Sequence, residues 1–234
     1  MRAGRALVLW ALLSAPGTVA AQVQGDVALL SDYRFRGESL TEGRPALQAG
    51  VNYDHSSGLF VGGLVSNVRI DPDVVGLSAQ IYGGYTRPIG ERAAWDVGLV
   101  TYVFPHPSMG GPGYDYTEVF VGASFDTLSS RLYYTNSYFG GGQAIYLELN
   151  ASHAINDRIT LIAHVGYLGL SQPREPTSSG ERDNLVDFLA GINFDISGYV
   201  LGLSIVGTNA QQNACPAGSG RCNTTGVVSI SHKF

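Results

Sequence analysis

Alternation of apolar and polar residues with a period of two runs through almost the whole chain, and this feature constrains the fold most. In residues 145–152 the apolar set Ile145, Leu147, Leu149 and Ala151 alternates with Tyr, Glu, Asn and Ser, and residues 185–195 and 199–206 repeat the pattern. Sustained apolar periodicity of 3.6 residues is missing after the N-terminus. Because successive side chains of a strand point to opposite faces, the pattern predicts an all-β chain.

The alternation predicts twelve strands. Their ranges are 25–37, 45–55, 58–68, 76–88, 93–104, 114–126, 129–139, 143–155, 157–170, 184–196, 197–209 and 224–234. Connections after even strands are tight, as in HSSG and DISG, whereas most of those after odd strands are long, as in RIDPDVVG and SQPREPTSSGERD; GGG at 140–142 is the exception. An even strand number with alternating short turns and long loops is typical of bacterial outer-membrane barrels.

Composition separates this interpretation from a water-soluble sandwich or lipocalin-like barrel, in which the apolar faces would point inward. Only 14% of the residues are charged, whereas soluble domains have roughly 25%. The chain also ends on an aromatic residue, Phe234. We therefore predict an all-β transmembrane antiparallel β-barrel in contact with outer-membrane lipid. The net charge of −5 and the scattered basic residues indicate no nucleic-acid partner.

The N-terminus has the layout of a secretory signal peptide. Arg2 and Arg5 precede an apolar run at 6–15, and small residues at 19–21 precede Gln22. The apolar run is too short to span a bilayer as a helix. We expect residues 1–21 to be a cleavable signal peptide and residues 22–234 to form the barrel in the bacterial outer membrane.

Two cysteines, Cys215 and Cys222, lie in the loop sequence CPAGSGRC. After export both would meet an oxidising compartment, which favours a local disulfide. A metal site would need two further ligands nearby, and the surrounding sequence offers none. We expect no cofactor and no metal.

The polar face of each strand supplies candidates for the lining of the lumen. In the stretch SDYRFRG, treated as part of the first strand, Asp32, Arg34 and Arg36 would face the lumen while Tyr33 and Phe35 face lipid. The same parity along the chain gives the lumen candidates Asp32, Arg34, Arg36, Gln48, Asn52, Asp96, Glu118, Arg131, Glu148 and Asp187. It also places Tyr33, Phe35, Tyr85, Trp95, Phe125, Tyr134, Tyr138, Tyr167, Phe188, Phe194, Tyr199 and Phe234 outward, as interfacial girdles.

These lumen charges are mixed in sign, so two interpretations stay open. They can form a structural network of pairs across a narrow interior, or a constriction that orients a small polar solute. Catalytic motifs such as Gly-x-Ser-x-Gly or His-Glu-x-x-His do not occur. His164 is expected to face the lumen alone, and the sequence gives no histidine an evident nucleophile or carboxylate partner.

The run at 31–68 resembles the N-terminal signature of the proteobacterial Gcw_chp, or TorF-type, porin family. That signature is a Ser-Asp-Tyr-x-Phe-Arg-Gly-x-Ser-x-Thr block followed by Pro-Ala-x-Gln, a Ser-Gly hairpin and a Ser-Asn pair. The matching residues are Ser31, Asp32, Tyr33, Phe35, Arg36, Gly37, Ser39, Thr41, Pro45, Ala46, Gln48, Ser57, Gly58, Ser66 and Asn67. Leu40 and Leu64 depart from it, standing where a Gln and an aromatic are usual. The resemblance implies an outer-membrane β-barrel that acts as a pore, and it implies no substrate.

Together these features predict a channel that passes small hydrophilic solutes through a narrow polar lumen. The alternatives are a structural or surface-interaction barrel with a plugged lumen and an outer-membrane hydrolase. We expect the C-terminal strand, which ends at Phe234, to be the contact with the barrel-assembly machinery. The oligomeric state stays open.

Overall fold

The computed structural model describes residues 22–71, 74–105, 113–172, 184–209 and 221–234. In chain order the strands are β1 (Gln22–Leu30), β2 (Arg34–Phe35), β3 (Glu38–Ser39), β4 (Ala46–Asp54), β5 (Leu59–Asp71), β6 (Val74–Ile89), β7 (Ala93–Val103), β8 (Tyr116–Phe125), β9 (Leu128–Thr135), β10 (Ala144–Ala154), β11 (Ile159–Leu170), β12 (Leu185–Ile196), β13 (Tyr199–Thr208) and β14 (Thr225–Lys233). A single 3-10 turn, Tyr138–Gly140, is the one helical element in these residues.

Twelve of these strands close into a barrel, which confirms the predicted fold and strand number. β2 and β3 form a separate two-stranded sheet, and every other strand pairs antiparallel with its two neighbours. β1 closes the barrel by pairing with β4 on one side and β14 on the other. At the seam, the amide of Phe234 donates to the carbonyl of Gly25 at 3.0 Å, and the amide of Gly25 donates back at 2.9 Å. The described residues form no helix long and apolar enough to cross a membrane.

The two faces of the barrel wall differ in polarity as the alternation predicts. The outward face carries large apolar side chains such as Leu77, which is 71% exposed, whereas the inward-facing Tyr146 is 1% exposed. An apolar outer belt around a polar interior is the arrangement of a transmembrane barrel, whose belt contacts lipid.

Short turns connect the strands at one end, which also holds both ends of the barrel sequence; we call it the turn end. These turns are residues 55–58, 90–92, 126–127, 155–158 and 197–198. Arg92 and Asp126 pair there, and the hydrogen bond from Arg92 lowers the pKa of the Asp126 carboxyl. Short turns are periplasmic in barrels of this kind, so the opposite end, the loop end, faces outside.

One loop-end connection is much shorter than predicted. RIDPDVVG was expected to be a long loop, but β5 runs to Asp71 and β6 resumes at Val74. Residues 69 and 75 still pair in the ladder, with a register shift between Arg69 and Asp71. The two strands therefore continue as a hairpin, because the β-branched residues of this stretch pair rather than loop.

The first predicted strand is wrong in its second half. Instead of spanning 25–37, β1 ends at Leu30, and residues 31–45, which we call the inner segment, fold into the barrel before β4 begins. Tyr33 and Phe35 were predicted to face lipid, but they are only 6% and 5% exposed inside the barrel. Tyr138, also predicted to face outward, is buried in the 3-10 turn that follows β9.

Candidate functional site: the barrel lumen

The inner segment crosses the lumen near the loop end. Its small sheet pairs Arg34 with Ser39 and Phe35 with Glu38 around a tight turn. That turn places Arg36 at φ 51° and Gly37 at φ 78°, both in the left-handed region. Glycine adopts this conformation without a steric penalty, so Gly37 allows the chain to reverse where a continuing strand would have left the barrel.

Asp32 organises the inner segment from within. Its carboxylate accepts hydrogen bonds from the Ser39 hydroxyl at 2.5 Å, the Thr41 hydroxyl at 2.9 Å and Arg34 Nε at 2.5 Å. Thr41 Oγ1 in turn accepts from the backbone amide of Tyr33 at 3.0 Å. A buried carboxylate is stable only when it is paired and hydrogen-bonded, and these contacts account for the Asp-x-Arg and Ser-x-Thr spacing of the stretch.

Arg34 ties the inner segment to the chain that leads into β14. Its Nη1 lies 3.0 Å from the carbonyl oxygen of Gly37, 2.8 Å from that of Arg221 and 2.9 Å from that of Asn223. The amide of Ser39 also donates to the carbonyl of Arg221, at 2.9 Å. The inner segment is therefore held by the backbone carbonyls of Arg221 and Asn223, which lie 187 and 189 residues from Arg34 in the sequence.

Arg36 ties the same segment to the opposite wall. Its Nη2 donates to Glu118 Oε2 on β8 at 2.6 Å, and both side chains are almost fully buried. The guanidinium carbon lies 4.0 Å from the ring centroid of Tyr146 and 5.2 Å from that of Tyr138. Nε and Nη1 of Arg36 find no hydrogen-bond partner among the described residues, so aromatic faces, which attract cations, surround much of this charge.

Phe35 lies inside because it completes an aromatic cluster at the loop end. Its ring centroid is 5.2 Å from that of Tyr102 and 6.3 Å from that of Phe139. Tyr102 stacks in turn on Tyr116 at 4.7 Å. These aromatic contacts stabilise Phe35 inside the barrel at least as well as contact with lipid would.

Four predicted lumen residues share one line of the sheet. Asp96, Arg131, Glu148 and Asp187 are linked through direct register partners on successive strands, with Gly122 and Gly166 between them. We call this line the ionic row. Arg131 Nε donates to Asp96 Oδ2 at 2.8 Å, and Glu148 Oε1 accepts from the Tyr133 hydroxyl at 3.2 Å.

His164 is not alone in the lumen, contrary to the sequence prediction. Its Nε2 lies 2.8 Å from Asp187 Oδ1, and its Nδ1 lies 2.7 Å from Asn150 Oδ1. The Tyr146 hydroxyl lies 3.0 Å from Nε2 and donates to Asp187 Oδ2 at 3.1 Å. The sequence missed this group because its members are 14 to 41 residues apart, and only the strand register brings them together.

Amide side chains occupy the wall on the β4–β6 side. Gln48 donates to the Ser66 hydroxyl at 3.2 Å, and Asn52 donates to Asp54 at 2.7 Å. Gln80 donates to the hydroxyl of Tyr33 at 3.0 Å. Gln48 and Asn52 are buried inside the barrel, on the face that the sequence alternation predicted.

A cavity of about 180 Å³ lies beneath the inner segment. Gln24 and Asp26, near the start of β1, line it toward the turn end, and Arg34 and Arg36 line it toward the loop end. Wall residues from β4 through β10 complete it. The loop-end half of the lumen is thus filled by the inner segment, while the turn-end half contains open space.

The ten predicted lumen residues are all directed into the barrel. Asp96 and Arg131 are half-buried and the other eight are buried. Arg34, Arg36 and Asp32 reach the interior from the inner segment and not from a strand. Metal-binding clusters of His, Cys, Asp and Glu are not found among the described residues.

Cys222 is buried and disulfide-bonded. Its predicted partner, Cys215, lies outside the described residues, so their pairing stays a prediction. Cys222 directly follows Arg221, whose carbonyl holds the inner segment. The disulfide at Cys222 therefore restrains the chain next to the carbonyl that binds Arg34.

Comparison with known proteins agrees with the barrel. A family model described as "Bacterial protein of unknown function (Gcw_chp)" matches residues 14–234. A solved structure of the NanC porin is 9% identical, with a TM-score of 0.55 over 91% of this chain and 99% of that chain. The KdgM porin is 10% identical, with a TM-score of 0.54 over 90% and 99%. A second KdgM structure, in complex with disordered oligogalacturonate, is 8% identical to this chain. Its TM-score is 0.54 over 91% of this chain and 98% of that chain. No curated protein matches the chain in sequence.

Proposed function

The chain belongs to the Gcw_chp family, and we propose that it is an outer-membrane channel for small hydrophilic solutes, closed by its inner segment in the conformation described above. The cavity beneath that segment carries this proposal. It is lined by amide, carboxylate and guanidinium groups, which can replace the hydration contacts of a polar solute. The similarity to the NanC and KdgM porins is a similarity of fold.

Opening requires the inner segment to move. It fills the loop-end half of the lumen and is held both by bonds within itself, such as Arg34 to the Gly37 carbonyl, and by bonds to the rest of the chain, such as Arg36 to Glu118. Because β1 pairs with β4 over nine residue positions and with β14 over five, displacement of the segment beyond Ser31, which bonds to Val228, leaves the barrel wall closed. The segment is therefore a plug that the barrel can lose without unfolding.

Single-channel recording tests the proposal. Purified protein in planar bilayers should give small, discrete conductance steps that are rare in the wild type. A variant in which residues 33–43 are replaced by a short Gly-Ser linker should conduct more often and in larger steps. A folded linker variant that stays silent across voltages and salt concentrations would contradict a channel function.

The second candidate is a structural or surface-interaction barrel whose lumen stays plugged. The observation that favours it is the buried pair of Arg36 and Glu118, with both members shielded from water. Under this alternative the linker variant conducts while the wild type never does, and the extracellular loops carry the function. Deletion of those loops would then abolish function and leave conductance unchanged.

Two further expectations belong to the same proposal. Residues 1–21 direct export and are removed, and the strand that ends at Phe234 is the contact with the barrel-assembly machinery. N-terminal sequencing of protein from the outer-membrane fraction tests the first. Assembly of a Phe234-deleted variant, followed by heat-modifiable mobility, tests the second.

A further inference from the structure

Aromatic residues form a second line along the lumen wall, next to the ionic row. Direct register partners connect Phe60 to Gly84, Gly84 to Gly98 and Gly98 to Phe120. The line continues from Phe120 to Tyr133 and from Tyr133 to Tyr146. We call the four rings of Phe60, Phe120, Tyr133 and Tyr146 the aromatic row, and all four line the cavity.

The rings of Phe60 and Phe120 lie along the wall and not across the lumen. A side-chain carbon at Gly84 would lie 2.7 Å from Cζ of Phe60, and one at Gly98 would lie 2.6 Å from Cζ of Phe120. Each ring tip thus occupies the space above a glycine on the neighbouring strand. Neighbouring rings are spaced at 5.6 Å between Phe120 and Tyr133 and 6.0 Å between Tyr133 and Tyr146. The glycines let aromatic surface cover the wall while the cavity stays open.

Hydrogen-bonding groups flank the two tyrosines of the row. Arg131 and Glu148 lie two residues from Tyr133 and Tyr146 on the same strands, so the ionic row runs beside the aromatic row. The Tyr133 hydroxyl already donates to Glu148. Phe60, Phe120 and Tyr146 are buried, and guanidinium groups lie over the rings of Phe120 and Tyr146, whereas Tyr133 is only partly buried. A ligand in the cavity therefore meets the ring of Tyr133 bordered by donors and acceptors, which is complementary to a molecule with an apolar face and a hydroxyl-rich edge.

The charges select against anionic ligands. Each arginine that lines the cavity is paired with its own carboxylate: Arg34 with Asp32, Arg36 with Glu118 and Arg131 with Asp96. An anionic ligand would have to compete with these close pairs, and the extra carboxylates of Asp26 and Glu148 on the cavity wall would repel it. A neutral, hydroxyl-rich ligand can bond with both donors and acceptors without disturbing the pairs.

From these features we propose that the cavity binds neutral saccharides, with a sugar ring stacked on Tyr133 and hydroxyls bonded to Arg131 and Glu148 of the ionic row. A cavity of ~150 Å³ is enough to bind benzene, so 180 Å³ has room for one six-membered ring, and the substituents of that ring and any further sugar would extend toward the turn end. The proposal rests on the channel function, for which it names the class of solute.

Equilibrium binding separates this proposal from conduction. Isothermal titration calorimetry of the detergent-solubilised full-length barrel should detect D-glucose and maltose, with the anion D-galacturonate binding more weakly. The Tyr133→Leu change should weaken maltose binding about tenfold, since it removes one ring face. Tyr133→Phe keeps the ring and should stay within a few-fold of the wild type.

Tyr134→Leu is the matched control, because Tyr134 is the next residue on β9 and is exposed on the lipid face; its maltose affinity should equal that of the wild type. Phe120→Leu gives a second test if Tyr133→Leu does not fold, as judged by heat-modifiable mobility. Absence of maltose binding, equal weakening by Tyr134→Leu, or tighter binding of D-galacturonate would overturn the saccharide proposal. A barrel that conducts but binds no maltose would leave the channel function standing, and one that binds maltose but never conducts would do the reverse.

Discussion

Arg36 and Glu118 form a buried ion pair across the lumen, 2.6 Å between Nη2 and Oε2, although they are 82 residues apart in sequence. Arg36 belongs to the inner segment and Glu118 to the wall strand β8. The pair is therefore a direct link between the plug and the barrel. Both interpretations of the lumen charges apply to this contact. It is part of a structural network, and it holds the segment that constricts the lumen.

Loss of Arg36 should loosen the plug. Arg36→Ala leaves Glu118 buried without its cation, and breaking one side of a buried pair costs about 3–5 kcal/mol. We expect more frequent and larger conductance steps in planar bilayers. The double change Arg36→Ala and Glu118→Ala should partly restore the quiet state, because no unpaired charge remains.

A surface pair provides the control for this prediction. Arg92 and Asp126 pair at the turn end, where both are solvent-accessible, and such pairs contribute little. Arg92→Ala should conduct like the wild type. Equal conductance of Arg36→Ala and the wild type would show that the inner segment is held without this pair.

The fit of the plug against the barrel wall can be tested by adding one methyl group, at Gly37 or at Gly43. Both have positive φ, 78° and 70°, but an added carbon at Gly37 would lie 2.7 Å from the carbonyl oxygen of Gly207, whereas Gly43 has nothing within 4 Å. Each change to alanine carries a backbone penalty of about 1–2 kcal/mol. Only Gly37→Ala adds a clash with the wall.

We therefore expect Gly37→Ala to raise the open probability well above that of Gly43→Ala in the same recordings. Protease accessibility of the inner segment in the folded barrel should follow the same order. Equal behaviour of the two variants would indicate that backbone conformation, and not contact with β13, limits the seating of the plug.

Residue parity predicted the barrel because burial of one face of each strand is a local property. Gln48, Asn52, Glu118 and Glu148 lie in strands whose alternation is unbroken, and the register then fixes the direction of each side chain. The wall and most of its lining could thus be read from the sequence.

The inner segment could not be predicted by the same rule. Tyr33 and Phe35 continue the alternation of β1, so the period of two gives no sign that the strand ends at Leu30. What turns the chain inward is the bonding of Asp32 to Ser39 and Thr41 and the distant partner of Arg36. The available signal was Gly37 followed by Gly43 within a run of polar residues, which is turn chemistry and not strand chemistry.

The disulfide at Cys222 should help to hold the plug. Arg221, its neighbour, accepts hydrogen bonds through its carbonyl from Arg34 and from the amide of Ser39. Reduction by dithiothreitol frees this part of the chain, so we expect the open probability to rise. The change Cys222→Ser should show the raised level from the start and no response to the reductant; a wild type that is indifferent to dithiothreitol would contradict this role.

Gly98 should be required for assembly of the wall. A side-chain carbon there would lie 2.4 Å from the carbonyl oxygen of Gly83 and 2.6 Å from Cζ of Phe120. Forced overpacking costs about 1–3 kcal/mol, so Gly98→Ala should lower the folded fraction on heat-modifiable gels and the urea midpoint. Gly169→Ala is the control, since its nearest contact would be an ordinary 3.6 Å. Phe120→Ala alone is also destabilising, because it removes a buried ring, so the comparison is made within that background. There Gly98→Ala should cost less than in the wild type, since only the ring clash is relieved; no cost at all would show that the backbone contact with Gly83 is harmless.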